Sequence, residues 1–168
     1  KGEVIHYFTR IAPLMLPHLA GRPVTRKRWP EGTDHPPFFA KDLEAGAPAW
    51  IARESIDHSS GAKTYPIVTG VATLVYLAQV ASLELHVPQW RFTSEGTRGD
   101  ADRLVLDLDP GPGVGLAECA EVARWAREIL GHMGLHPFPV TSGSKGLQLY
   151  AALPPGQSSE SASAIAHE

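Results

Sequence analysis

At 168 residues, with 43% hydrophobic and 20% charged content and a formal net charge of −3, the chain can bury one core or at most two, and it reads as an ordinary globular protein of one domain, bilobed at most. The single cysteine, Cys119, excludes an internal disulfide and fits a reducing compartment, and eight histidines without paired cysteines do not make a zinc pattern. No basic leader runs into an apolar stretch, and the longest apolar region, Val71 to Leu85, is broken by Thr73, Gln79, Ser82 and Glu84, so no membrane segment is expected.

In chain order, Val4, Ile5, Phe8, Ile11, Ala12, Met15 and Leu19 recur at helical spacing, with Pro13 restarting or kinking the helix. Gly21 and Pro23 end it, and Val24 to Trp29 reads as a short strand carrying Arg26, Lys27 and Arg28. Pro36-Pro37 leads into Phe38-Phe39 in an expected loop, where large rings are either buried or used for stacking. Between Ile51 and Val68, two extended segments flank Ser59 to Ala62 as a hairpin would. Val71 to Ser82 reads as a buried helix and Leu83 to Phe92 as an extended run, completing a first half over residues 1–92. Thr93 to Asp102, polar and holding Gly96 and Gly99, is an expected exposed loop opening a second half, 93–168. There a strand from Arg103 to Asp109 precedes a helix striped by Leu116, Ala120, Ala123, Ala126, Leu130 and Met133, with Cys119 and Trp125 expected to pack. Two further extended runs, Phe138 to Ser142 and Leu147 to Ala151, are joined by Gly143 to Gly146, and a small, polar segment from Gln157 starts a last helix.

Three stretches carry chemistry. Asp107 and Asp109, two apart on a strand, share a face while Leu104, Leu106 and Leu108 enter the core. Side-by-side carboxylates suit a hard divalent cation, and Asp109-Pro110-Gly111 equally suits a strand end entering a turn. Thr141-Ser142-Gly143-Ser144-Lys145-Gly146 reads as a phosphate cradle or as a plain Gly/Ser hairpin turn with an exposed lysine; its spacing is not that of a Walker loop. A carboxylate strand beside a basic hairpin is the pairing phosphoryl transfer uses. Third, Lys1 to Pro30 holds six basic residues, Lys1, Arg10, Arg22, Arg26, Lys27 and Arg28, against Glu3, which makes either a phosphate-attracting surface or a solvated charged face. His86 is expected to share a strand face with Glu84.

Four segments in this order, Gly21-Arg22-Pro23-Val24-Thr25-Arg26-Lys27-Arg28-Trp29-Pro30, His86-Val87-Pro88-Gln89-Trp90-Arg91, Leu106-Asp107-Leu108-Asp109-Pro110-Gly111 and Thr141-Ser142-Gly143-Ser144-Lys145-Gly146-Leu147, resemble the polymerase domain of bacterial DNA ligase D, of the archaeo-eukaryotic primase type. The resemblance spans essentially the whole chain. It implies an α+β, primase-type fold, with an RRM-like palm begun by residues 93–168 and a smaller N-terminal α/β module over 1–92. It further implies a DNA-repair nucleotidyltransferase of non-homologous end joining that adds nucleotides, ribonucleotides preferentially, to a primer 3′-hydroxyl with Mn²⁺ or Mg²⁺. On the same comparison Asp107 and Asp109 are metal ligands; Lys27, His86, Ser142 and Lys145 bind the nucleotide; Phe39 stacks at the template; and Lys1 takes the 5′-phosphate across a gap. The implied partners are DNA ends or gapped DNA with a 5′-phosphate, NTP or dNTP, Ku, and an attached or separate ligase domain, in a bacterial cytoplasm at the nucleoid.

Two departures bear on activity. Gln148 stands where the family motif has histidine; it can hydrogen-bond beside Tyr150 but carries no proton or positive charge at that place. The family's third catalytic aspartate is expected beyond position 168, and a segment before Lys1 is expected to be missing. The alternative is therefore a catalytically incomplete DNA-end-binding module that keeps the primase scaffold.

Overall fold

The computed structural model describes residues 1–167. The order is α1 (Gly2–Leu19), β1 (Thr25–Arg28), β2 (Phe38–Ala40), β3 (Arg53–His58), β4 (Gly61–Pro66), α2 (Val71–Gln79), β5 (Ser82–His86), β6 (Trp90–Phe92), β7 (Arg98–Ala101), β8 (Arg103–Leu108), α3 (Leu116–His132), β9 (Phe138–Thr141), β10 (Leu147–Ala152) and α4 (Ser159–His167). Two compact units divide the chain, Lys1–Arg98 and Gly99–Glu168. Among the described residues no helix is long and apolar enough to cross a membrane.

In the first unit, α1 continues through Pro13 and Pro17 as one helix, so proline neither stops nor restarts it. Its Phe8, Ala12 and Leu19 bury against Leu74, Leu77 and Ala78 of α2, with Val24 and Val68 completing the core. Each of these large apolar side chains contributes about 1.5–3 kcal/mol on leaving water, and this burial outweighs the backbone donors lost at the prolines. Gly21, at φ +69°, turns the chain out of α1, a conformation cheap only without a Cβ. Arg91 Nη1 then donates to the Ala20 carbonyl at 2.8 Å and Nη2 to that of Pro17 at 3.2 Å, covering carbonyls at the helix end.

Beside these helices lies an antiparallel sheet ordered β2-β1-β5, and β3 and β4 form a separate hairpin. Phe38 and Phe39 therefore lie on a strand rather than in the expected loop, held by the register Lys27↔Phe39 and Arg28↔Phe38. An edge strand so short has little pattern of its own, and cross-strand pairing decides it.

The second unit is built on the sheet β8-β10-β9, all antiparallel. Leu104 and Leu149 are buried while Leu106 and Leu108 pack against the same cores, which is the alternation expected of β8. Cys119 and Ala123 of α3 cover one cluster; Leu130 of α3, Leu135 just after it and Ala162 of α4 cover another. Three expectations fail. Leu116 and Met133, at the two ends of the expected α3 stripe, are 49% and 41% exposed. Arg98–Ala101 is a strand inside the segment read as loop, and Trp125 is 58% exposed instead of packed. On α3 the row Val122, Trp125, Ile129 lies roughly a quarter of the way round the helix from the buried row Cys119, Ala123, Leu130, and single-sequence periodicity admits both rows.

Candidate active site

Strand alternation splits the basic run of β1. Arg26 and Arg28 project to one face of the sheet and Lys27 to the other, because successive side chains in a strand point oppositely. Arg26 has no exposed surface; its Nη1 reaches Glu44 Oε1 at 2.5 Å and its Nη2 donates to the Asp42 carbonyl. Arg28 Nη1 shares the same Glu44 oxygen at 2.7 Å, and Tyr76 donates its hydroxyl to Glu44 Oε2 at 3.2 Å. Desolvation pushes the Arg26 guanidinium below its ordinary value, and Glu44 opposes that push. Arg22 is also fully buried, donating to the Pro88 carbonyl at 3.1 Å. Neither reading of the Lys1 to Pro30 run as a surface therefore survives for Arg22 and Arg26. They are structural cations, whereas Lys1 stays exposed at the start of α1.

The outer face of the sheet collects what the inner one excludes. Registers Lys27↔Glu84, Lys27↔Phe39 and Thr25↔His86 put Phe39, Lys27, Glu84 and His86 on one face. Glu84 bridges the two candidate nucleotide-binding residues, with Oε1 3.1 Å from Lys27 Nζ and Oε2 2.8 Å from His86 Nε2. Burial alone would raise the Glu84 carboxyl, but hydrogen bonds from His86 and Lys27 and their charges outweigh it and hold the group below its usual range. Phe39 is 61% exposed, edge-on to the His86 ring at 5.4 Å, and Lys27 Nζ lies 5.7 Å from the Phe39 centroid and 5.1 Å from that of Trp29. An exposed ring beside the Lys27 ammonium offers a face on which a base can stack.

In the second unit, Asp107 lies near the end of β8, opposite Gln148 of β10. Gln148 Nε2 donates to Asp107 Oδ1 at 3.2 Å, and Tyr150 donates its hydroxyl to Gln148 Oε1 at 2.9 Å, so Gln148 and Tyr150 do share a strand face. Asp109 follows the strand. A Cβ on Gly146 would stand 2.7 Å from Asp109 Oδ1 and 2.7 Å from the Leu108 carbonyl oxygen, so only glycine lets the loop between β9 and β10 approach this carboxylate. That loop closes on itself through Ser142: its N–H donates to the Gly146 carbonyl at 3.1 Å, and its Oγ accepts from the Gly146 N–H at 3.1 Å and the Ser144 N–H at 3.4 Å. Gly143 takes φ +82° in the turn, and Lys145 is exposed.

Asp107 and Asp109 line one open concavity of about 310 Å³ with Pro110, Val114 and Glu118. Glu118 is engaged elsewhere, accepting the Gly115 N–H at 2.7 Å, which holds its carboxyl below the usual range. Among the described residues no group of three or more His, Cys, Asp or Glu gathers as a metal centre. Two hard oxygen donors in an open concavity fit one divalent cation whose remaining positions go to water or phosphate oxygens.

Sequence reading missed part of what the structure brings together. Glu44 shows no motif, and Glu84 was expected only to share a face with His86; the register between distant strands gives Glu84 its second partner, Lys27. Gly146 matters through the residue it faces. Trp90 and Phe92 carried a period-2 aromatic signal, which their 5.2 Å edge contact now explains.

A family model for the LigD primase-polymerase domain matches residues 1–168. The multifunctional non-homologous end joining DNA repair protein LigD of Mycobacterium tuberculosis is 51% identical over 171 residues, covering 99% of this chain and 22% of that protein. That of Mycolicibacterium smegmatis is 51% identical over 166 residues, with the same coverage. The bifunctional non-homologous end joining protein LigD of Bacillus subtilis is 30% identical over 155 residues, 92% of this chain and 24% of the relative. A solved structure, the polymerase domain from Mycobacterium tuberculosis ligase D in complex with DNA, matches with a TM-score of 0.93 at 50% identity, covering 98% of this chain and 59% of that one. The fold is thus the α+β fold of a primase-type polymerase domain. The chain belongs to the LigD primase-polymerase domain family. It spans about a fifth of the length of these curated relatives.

Proposed function

We propose that the chain is the nucleotidyltransferase domain of a non-homologous end joining protein, extending a primer 3′-hydroxyl at a DNA break and preferring ribonucleotides. The observation that carries this reading is the carboxylate strand end of Asp107 and Asp109 lying against the Ser142–Gly146 hairpin, with Gly146 as the point of approach. Asp107 and Asp109 would hold the cation, Mn²⁺ or Mg²⁺. When bound, it supplies Lewis-acid polarisation at the reacting phosphate and neutralises developing charge. In the second unit Lys145 and the Ser142 hydroxyl would bind triphosphate oxygens; in the first, Glu84 lines up Lys27 and His86 as donors suited to a nucleotide. Phe39 stacks on a template base, and Lys1 receives a 5′-phosphate. In the reaction the primer 3′-oxygen bonds to the α-phosphorus, the bond from that phosphorus to the bridging oxygen breaks, pyrophosphate leaves, and the hydroxyl proton passes to solvent.

The partners follow from that role: DNA ends or gaps carrying a 5′-phosphate, NTP or dNTP, Ku, and a ligase domain, in the bacterial cytoplasm at the nucleoid. A second reading, an end-binding module without synthesis, is favoured by one observation: Gln148, which carries no proton or positive charge, donates to Asp107 Oδ1 at 3.2 Å. Primer extension on a gapped, 5′-phosphorylated duplex with Mn²⁺ and ribonucleotides separates the two. Synthesis lost in Asp107→Ala and Asp109→Ala supports the polymerase; end binding without synthesis supports the module.

A further inference from the structure

The first unit contains an open pocket of about 630 Å³ between the β3–β4 hairpin and the segment from His86 to Arg98. Aromatic residues line much of it. Trp90 and Phe92 alternate onto one face of β6 and meet edge to face, their centroids 5.2 Å apart. Across the pocket, His58 Nε2 and the Tyr65 hydroxyl are 2.9 Å apart, tying the tip of β3 to β4. The Arg98 guanidinium lies over the Trp90 ring, 5.3 Å from its centroid, and Lys41, exposed, also lines the pocket, with Asp57 the one acid among the lining residues.

An open pocket walled by the half-buried rings of Trp90 and Phe92 and bordered by cations suits one residue of a longer anionic polymer: a flat base on the aromatic wall and its flanking phosphates on the basic side chains. In a duplex the faces of each base are covered by its neighbours, so only an unpaired base can use such rings. We propose that this pocket binds an unpaired base of a single-stranded DNA segment, stacking it at Trp90 with the adjoining phosphates on Lys41 and Arg98. The assignment rests on the reading of the chain as a DNA-end protein. It adds a subsite beyond the sheet face of Phe39, Lys27 and Glu84, and His86, which borders both, marks where a strand leaving the pocket meets that face.

The test is fluorescence anisotropy on 5′-phosphorylated duplexes bearing a single-stranded overhang, with one abasic residue moved through the overhang position by position. The expected result is a roughly tenfold loss of affinity at one position, the scale of a single base–aromatic stack. Trp90→Ala should cost about as much with the full overhang and make that abasic position silent. Because β6 could unfold in Trp90→Ala, the exposed Lys41→Ala carries the same test: it should reduce the slope of log affinity against log salt by about 0.7, one single-strand phosphate contact. If 5′-phosphorylated blunt duplex still binds but no abasic position matters, or Lys41→Ala leaves the slope unchanged, the pocket assignment is overturned and the end-binding reading stands. Failure to bind any of these DNAs overturns that reading, and the pocket with it.

Discussion

Removing Glu44 tests whether the buried half of the basic strand is structural. Its carboxylate takes bonds from Arg26 at 2.5 Å, Arg28 at 2.7 Å and the Tyr76 hydroxyl at 3.2 Å, while Arg26 has no solvent exposure at all. Arginine does not shed its proton at neutral pH, so in Glu44→Ala the buried guanidinium keeps its charge with the Asp42 carbonyl as its remaining acceptor. Breaking such a pair from one side costs about 3–5 kcal/mol, a large part of the 5–15 kcal/mol of a typical domain. Adding Arg26→Met to Glu44→Ala should recover part of the loss, because the uncompensated charge then leaves too. Urea unfolding followed by tryptophan fluorescence reads the first unit, which holds Trp29, Trp50 and Trp90, three of the four tryptophans. A Glu44→Ala variant within about 0.5 kcal/mol of the parent, or a double variant less stable than Glu44→Ala, would refute the argument.

Three further outcomes follow from the geometry. Gly146→Ala drives a Cβ to 2.7 Å from Asp109 Oδ1 and the Leu108 carbonyl, where backbone cannot yield cheaply; it should cost about 1–3 kcal/mol and weaken Mn²⁺ binding measured by electron paramagnetic resonance, and unchanged Mn²⁺ affinity would count against it. Gln148→Ala and Tyr150→Phe break the same chain of bonds to Asp107, so their effects on Mn²⁺ affinity should be less than additive in a double-mutant cycle; strict additivity would show that the chain does not act as a unit. The Glu84 carboxyl is held below its ordinary value, so its contribution is fully present above the unfolded glutamate value of about 4.3 and is lost as pH falls through the lower folded value. The stability gap between the parent and Glu84→Gln should accordingly close on acidification, modestly because the side chain is 44% exposed, and a gap that widens in acid would contradict the assignment.

Much of the fold could be read from the chain because its signals are local. The helical stripe of α1, the hairpin around Ser59 to Gly61 and the alternation of Leu104, Leu106 and Leu108 each depend on residues near one another in sequence. The misread segments are short or ambiguous. Phe38–Ala40 becomes a strand only by pairing with β1, Arg98–Ala101 is hidden among polar residues, and two apolar rows on α3 compete for the core.

The same division holds at the candidate site. Asp107, Asp109, Ser142, Lys145, Lys27, His86 and Phe39 stand out as candidates through residue type, spacing and their ordered resemblance to one family, since a motif is a short run of specific groups. Which of the cations are free to meet a ligand was not legible. Arg26 and Lys27 are adjacent in the chain, yet one is sealed against Glu44 and the other faces Glu84 and Phe39. Period-2 alternation divides the neighbours, but only what packs on the sheet, here the Asp42–Glu44 segment and Tyr76 of α2 on the Arg26 side, determines which face is buried. The acids that partner these cations, Glu44 and Glu84, lie 18 and 57 residues away in sequence, and chain closure over such distances leaves no mark in the local pattern.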